Sequence, residues 1–297
     1  MGFIDRLSSK LRNSPDAPAA LEPAPPASVD REHAPPPSPA ATPGDADGHV
    51  VDESEYVWKL LASPSGSHLY FLNPDHVQLG LLDMIERAPR VVLDVGCYCG
   101  ATGETIKRRW PGAKVIGIEP LAEAAALAVP RIDRVITGTL ESVDFEQAGL
   151  APGSVDTIIL ADVLEHIFNP WLALQRLRTL LTDDGVVLAS IPNVRNLGLI
   201  HNLAAGHWTY QGGGLLDITH IRFFTLAEIR TMFAQTGFGI ASVEHNVDPA
   251  LQQLWDLEAA QGNTTIQFGP LTLKDVPPAD RRELATVQFY VRAGKSD

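Results

Sequence analysis

The chain has 297 residues, of which 45% are apolar, so it is long enough to bury a sizeable core. Its formal net charge of −13 disfavours a nucleic-acid partner, and we expect none, because binding a phosphate backbone relies on a basic face. The sequence has no run of about twenty apolar residues and no signal-peptide pattern, which favours a cytoplasmic location. The two cysteines, Cys97 and Cys99, are spaced for neither a disulfide nor zinc ligation, and we expect no metal site.

The first fifty residues differ in composition from the rest. Residues 1–14 carry apolar side chains at helical spacing between basic ones, which indicates either a short amphipathic segment or a fraying terminus. In the first case, residues 1–12 make a weak contact with a membrane surface. Residues 15–50 are rich in Pro and Ala and are expected to form a disordered tail. The folded domain is then expected over residues 51–297.

Apolar periodicity predicts the elements of this domain. In chain order they are a helix over 74–87, a strand over 90–95, a helix over 103–110, a strand over 114–119, a helix over 121–128, strands over 132–137 and 155–160, a helix over 172–181, a turn at 183–185, a strand over 186–191, and a helix over 225–235 capped by Thr225. The segments 238–245 and 286–292 are expected to pair antiparallel at the sheet edge, with 246–283 as an excursion. Because strands and helices alternate, the fold class is α/β with a doubly wound, mostly parallel sheet.

The segment Val91–Gly103 runs from an apolar strand through a Gly-rich turn into a helix. Such a turn lets backbone approach a ligand closely, and the helix start offers free N–H groups. Tyr98 stands where a dinucleotide-binding turn requires its second glycine, which disfavours a pyrophosphate and therefore a nicotinamide-dependent oxidoreductase. Glu119 ends the next strand, where a carboxylate can accept both hydroxyls of a ribose. Together these features predict an adenosine-containing cofactor.

Three segments resemble class I S-adenosylmethionine-dependent methyltransferases. Leu93–Gly103 resembles the first motif of that family, and Ala161–His166, which reads A-D-V-L-E-H, resembles its fourth-strand motif. Leu216–Thr225 is similar to a segment of the type 11/23-like members found in sugar or lipopolysaccharide biosynthesis and in ubiquinone biosynthesis. The resemblance implies a Rossmann-like sheet of seven strands with S-adenosylmethionine as cofactor. The cofactor-binding residues that it implies are Asp94, Gly96, Cys97, Tyr98, Gly100, Glu119, Pro120, Leu140, Glu141, Asp162 and Val163.

His220, His166 and Asp217 are the leading candidates for the catalytic step. A sulfonium methyl is already activated, so a hydroxyl acceptor needs only positioning and a general base, for which His suits neutral pH. His220, flanked by Asp217, is the first candidate and His166 the second, while His201 and His207 are weaker. Glu165 and His166 also fit the alternative of polar residues that cap a helix locally.

Residues 194–224 interleave aromatic residues with glycines between two elements of the predicted sheet. This pattern favours a lid over the acceptor, with an ordered surface loop as the alternative. The function that we predict is O-methylation of a small molecule, a sugar or similar hydroxylated metabolite. The alternative is a non-catalytic S-adenosylmethionine-binding scaffold whose Pro-rich tail recruits partners.

Overall fold

The computed structural model describes residues 73–296. The predicted amphipathic segment 1–14, the tail 15–50 and residues 51–72 lie outside the described residues. Within residues 73–296, no helix combines the length and the apolarity that crossing a bilayer requires.

The described elements alternate as the sequence predicts. The strands are β1 (Val91–Val95), β2 (Lys114–Glu119), β3 (Arg134–Thr137), β4 (Val155–Ala161), β5 (Leu181–Pro192), β6 (Phe238–Val247), β7 (Thr265–Phe268), β8 (Leu271–Lys274) and β9 (Thr286–Lys295). The helices are α1 (Leu79–Leu82), α2 (Ala101–Arg109), α3 (Ala122–Ala128), α4 (Pro170–Leu180), α5 (Leu197–Ala204), α6 (Leu226–Gln235), α7 (Pro249–Ala260) and α8 (Pro278–Ala285).

Seven strands form one sheet in the order β3-β2-β1-β4-β5-β9-β6. Neighbouring strands from β3 to β5 pair parallel, and β9 pairs antiparallel with both β5 and β6. The prediction of a doubly wound, mostly parallel α/β sheet is therefore confirmed. The predicted antiparallel pair is also present, but β9 inserts beside β5 and leaves β6 at the edge. The excursion between them holds α7, the β7–β8 hairpin and α8.

Apolar side chains pack on both faces of the sheet. Alternate residues of β1 point to opposite faces, with Leu93 in one cluster and Val92 in the other. The first cluster includes Leu177 of α4 and Phe233 of α6, and the second includes Ile106 of α2. Because each central strand is covered on both faces, it reads as a nearly continuous apolar run.

Two predicted helices differ from the structure. The helix expected over 74–87 is reduced to the four residues of α1, which contain Gly80, a poor helix former that packs directly on the ring of Tyr290. Helix α2 begins at Ala101, two residues before the predicted start, since Gly100 adopts a left-handed conformation at its N-cap. In α6 the predicted cap is confirmed, and the Thr225 hydroxyl accepts from the N–H of Glu228 at 3.4 Å.

The prediction of a turn at 183–185 is wrong. Residues 181–192 form one strand, and its pairing with β4 steps from Val155 with Leu181 to Thr157 with Val186. Strand β5 thus advances five residues while β4 advances two, so the Asp-Asp-Gly segment forms an irregular bulge inside the strand. Strand β3 is also shorter than predicted and begins at Arg134 instead of residue 132.

Gly117 in the middle of β2 is required by close packing. A Cβ there would overlap Cys97 Sγ and lie 2.7 Å from Ile132 Cδ1. We expect Gly117→Ala to lower the free energy of unfolding by about 1–3 kcal/mol, the usual cost of overpacking a core. Urea unfolding measures the change. Gly112→Ala is the control, because no described atom lies within 4 Å of its added Cβ, and equal losses in the two variants would contradict the packing argument.

Candidate active site

A cavity of about 830 Å³ opens at the carboxyl ends of β1, β2 and β4. Ligands bind at this edge in open α/β sheets, because the loops that follow the parallel strands meet there. The cofactor residues implied by the sequence line the cavity, with one exception. They are Asp94, Gly96, Cys97, Tyr98, Glu119, Pro120, Leu140, Glu141, Asp162 and Val163. The exception is Gly100, which packs against Ala128 of α3, where a Cβ would come within 3.0 Å of the backbone.

Tyr98 occupies a left-handed position in the turn after β1. Tyr98 has a φ of 47°, between Gly96 at 69° and Gly100 at 81°. All three values lie in the left-handed region, which costs a non-glycine residue free energy. The N–H of Tyr98 donates to Glu119 Oε2 at 2.8 Å, and this bond offsets part of that cost.

The carboxylate of Glu119 joins the two loops that follow β1 and β2. Besides the bond from Tyr98, its Oε1 accepts from the N–H of Leu121 at 2.9 Å. Burial raises the pKa of Glu119, while both backbone N–H groups lower it. Each oxygen keeps a second lone pair for a ligand hydroxyl.

Asp94 lies at the base of the cavity and is almost completely buried. Burial, followed by the negative charge of Glu119, raises the pKa of Asp94 to about 7. Its Oδ2 has no hydrogen-bond partner among the described residues. A buried carboxylate oxygen without a partner, beside a second acid, favours a cationic ligand group at this point.

Asp162 is held by residues that the sequence analysis did not single out. Ser190 donates to its Oδ1 at 2.8 Å, and the side-chain amides of Gln78 and Gln288 also donate to its carboxylate. Burial raises the pKa of Asp162 to about 6, with Ser190 opposing the rise. Its φ of 54° is a strained conformation that these bonds maintain. No local motif marks Gln78 or Gln288, because both come from distant segments.

His220 and Glu165 face each other in the cavity wall. His220 Nδ1 lies 3.3 Å from the carbonyl oxygen of Leu215, so this nitrogen carries the proton that it donates. Nε2 lies 3.9 Å from Glu165 Oε1. Burial lowers the pKa of His220 and raises that of Glu165 well above its usual range, so each favours its neutral form. Neither carboxylate oxygen of Glu165 accepts a hydrogen bond from a described residue, contrary to the expected capping role.

His166 is connected to Asp217 through Thr219. The Thr219 hydroxyl donates to Asp217 Oδ1 at 2.6 Å, and its oxygen lies 3.1 Å from His166 Nδ1. The rings of His166 and His220 meet edge to face with centroids 4.8 Å apart. The structure thus brings both predicted histidines together and places Asp217 as a residue that positions His166.

The segment predicted as a lid forms part of the cavity wall. Gly213, Gly214 and Leu215 line the cavity, and the ring of Trp208 packs against Phe223 with centroids 5.5 Å apart. The two weaker histidine candidates do not line the cavity. His201 packs against the ring of Phe268, and His207 is exposed.

Comparisons with known proteins identify the family of this chain. Residues 72–243, which are 172 of the 297, match the family described as "Methyltransferase domain". A ubiquinone biosynthesis O-methyltransferase of Cupriavidus pinatubonensis is 34% identical over 132 residues, 43% of this chain and 51% of that protein. A trans-aconitate 2-methyltransferase of Afipia carboxidovorans is 27% identical over 119 residues, 37% of this chain and 43% of that protein. The chain spans about half the length of the curated relatives that it matches.

A solved structure supports the fold. The crystal structure of an S-adenosylmethionine-dependent methyltransferase from Archaeoglobus fulgidus matches with a TM-score of 0.53 at 15% identity, over 77% of this chain and 97% of that one. The family match covers more than half of the chain and includes the Gly-rich turn, Glu119 and the A-D-V-L-E-H segment. This chain therefore belongs to the class I S-adenosylmethionine-dependent methyltransferases.

Proposed function

We propose that this protein transfers the methyl group of S-adenosylmethionine to a hydroxyl of an uncharged small molecule, such as a sugar or a similar metabolite. The observation that carries the proposal is the charge of the cavity. Six acidic residues and no Lys or Arg of the described chain line it; the acids are Asp94, Glu119, Glu141, Asp162, Glu165 and Asp217. Glu165 favours its neutral form, but the ionised acids of this set attract a cationic cofactor and repel an anionic acceptor.

Two acids of the cavity suit two polar parts of the cofactor. Glu119, with a free lone pair on each oxygen, would accept the ribose hydroxyls, and Asp94 would face the ammonium group. The cofactor supplies an activated methyl group, and the demethylated product is S-adenosylhomocysteine. The protein's own task is to align the acceptor oxygen and to assist the loss of its proton.

His220, His166 and Asp217 are the residues that we propose act on the acceptor. The acceptor hydroxyl would lie at the His220 imidazole, whose Nδ1–H is fixed by Leu215. Asp217 and Thr219 orient His166 beside it. Residues 194–224 would act as the acceptor lid, since Gly213–Leu215 border the same cavity.

Product formation tests the proposal. The full chain is incubated with S-adenosylmethionine and a panel of neutral hydroxylated acceptors, with trans-aconitate as the anionic comparison, and S-adenosylhomocysteine is measured by mass spectrometry. We expect product with one or more neutral acceptors and none with trans-aconitate. Product with trans-aconitate alone, or with no acceptor on the panel, would contradict the proposal.

Replacing Glu119 tests the cofactor's position. In Glu119→Gln an NH₂ group replaces one of the two carboxylate oxygens. This group faces the backbone N–H of either Tyr98 or Leu121, and it cannot accept a hydrogen bond from a ribose hydroxyl. We expect the affinity for S-adenosylhomocysteine to fall roughly 10- to 100-fold, the usual value of a hydrogen bond to a charged group. Calorimetric titration measures it, with the exposed Glu123→Gln as control. Equal affinities in both variants would remove Glu119 from the cofactor site.

A further inference from the structure

We propose that Glu165, His166 and His220 bind a divalent transition-metal cation beside the acceptor. These residues lie on the 3₁₀ turn Leu164–His166 and on the loop between α5 and α6. One potential ligand atom from each lies within 4.8 Å of the other two. The sequence analysis expected no metal site. No local motif marks this set of ligands, because the third ligand is 55 residues from the first (220 − 165).

The buried carboxylate is the first reason. Glu165 is 1% exposed, and neither of its oxygens has a hydrogen-bond partner among residues 73–296. An isolated buried carboxylate costs several kcal/mol unless it is paired, protonated or bound to a metal. No Lys or Arg of the described chain lines the cavity to pair with it.

The imidazole orientations are the second reason. His220 donates its Nδ1–H to the Leu215 carbonyl, so Nε2, the nitrogen nearest Glu165, presents a lone pair. His166 Nδ1 lies 3.2 Å from the carbonyl oxygen of Thr219, and this contact with a backbone carbonyl orients the His166 ring as Leu215 orients that of His220. Metal-binding histidines characteristically donate their second N–H to a backbone carbonyl or carboxylate, which fixes the ring and its tautomer.

The backbone holds the two segments together without a ligand. The carbonyl oxygen of Glu165 accepts from the N–H groups of Ile221 and Arg222, at 2.9 and 3.0 Å. These bonds bring the 3₁₀ turn against the loop immediately after His220. The ligand atoms are therefore close to one another in the folded chain, which lowers the entropic cost of binding a cation.

The donor set indicates which cation fits. Two imidazoles and one carboxylate suit Zn²⁺ and other first-row dications, whereas Mg²⁺ and Ca²⁺ prefer oxygen ligands. Three protein ligands leave a coordination position open for an acceptor oxygen. A further consequence rests on the proposed function. An acceptor hydroxyl bound to the cation would lose its proton to solvent more readily. His220 would then activate the hydroxyl by holding the cation, instead of accepting the proton directly.

Zinc titration tests the proposal. The full chain is freed of metal with a chelator and titrated with Zn²⁺ in a calorimeter. We expect one site whose affinity falls more than about 100-fold in Glu165→Gln, since loss of a ligand exceeds the 10- to 100-fold effect of losing its supporting partner. The exposed His207→Ala serves as control and should bind as the wild type does.

A second variant keeps the test decisive if Glu165→Gln fails to fold. His166 is exposed, so His166→Ala leaves the core intact and should weaken the site comparably. Absence of a Zn²⁺ site in the wild type, or equal affinity in wild type and both variants, would overturn the proposal.

Methyl transfer separates this inference from the proposed function. Chelator-treated protein that binds no Zn²⁺ but still methylates an acceptor would overturn the cation site and leave the methyltransferase assignment intact. A Zn²⁺ site that depends on Glu165 in a protein that methylates none of the acceptors would support the cation site and overturn the proposed reaction.

Discussion

His220→Ala is expected to lower kcat by about 10²- to 10⁴-fold while the affinity for S-adenosylhomocysteine stays within twofold. The range is that of a group assisting proton loss in the rate-limiting step. His220 lies with Glu165 and His166 in the cavity wall, whereas Asp94 and Glu119 of the proposed cofactor site belong to strands β1 and β2. Steady-state kinetics with the acceptor found by product screening, together with calorimetry, measures the two quantities separately.

The matched control for this experiment is His207→Ala. His207 belongs to the same predicted lid and is exposed, so its loss tests whether any change in this segment lowers turnover. We expect kcat to remain near the wild-type value. A comparable fall in both variants, or a large loss of cofactor affinity in His220→Ala, would assign His220 a structural role instead.

The central strands could be predicted from the sequence because a strand that is buried on both faces is a nearly continuous run of apolar residues. The bounds of β2 match the prediction, and β1 and β4 differ from it by one residue each. The β5 bulge could not be predicted, since Asp183-Asp184-Gly185 has the composition of an ordinary turn. Its inclusion in the strand depends on pairing with β4, which is a tertiary contact.

The position of the proposed cofactor residues at one edge of the sheet was predictable for a similar reason. The Gly-rich turn and Glu119 follow strands whose positions the sequence shows directly, and parallel strands end at one edge. Glu165 was missed because a Glu at the start of a helical turn has a sufficient local explanation. The role that we propose for it rests on its missing partners and its 3.9 Å approach to His220, and both depend on the folded loop.

Asp94→Asn is expected to stabilise the protein and to weaken cofactor binding. The pKa of Asp94 is raised from 3.8 to about 7, so its ionised form is less favourable in the folded chain than in the unfolded one. This cost is absent below pH 4, grows as the pH rises, and is complete above about pH 7. The difference of about three pKa units corresponds to at most about 4 kcal/mol, because each unit is 1.36 kcal/mol.

Unfolding in urea at pH 8 and at pH 4 measures this effect. We expect Asp94→Asn to exceed the wild type in stability at pH 8 and to match it at pH 4. The surface variant Asp256→Asn is the control and should follow the wild type at both pH values. Equal stability of Asp94→Asn and wild type at pH 8 would contradict the cost assigned to the buried charge.

The negative charge of Asp94 should strengthen the binding of the ligand. A cationic ammonium beside Asp94 would pair with the carboxylate, so its replacement by an amide should reduce affinity for S-adenosylhomocysteine roughly 10- to 100-fold. In the wild type this affinity should decline as the pH falls below about 7, where Asp94 takes up a proton, and the decline should be smaller in Asp94→Asn. If Asp94→Asn gains stability and loses affinity, the folded protein carries an unfavourable buried charge that its ligand neutralises. Unchanged affinity in Asp94→Asn would place the ligand's ammonium group elsewhere.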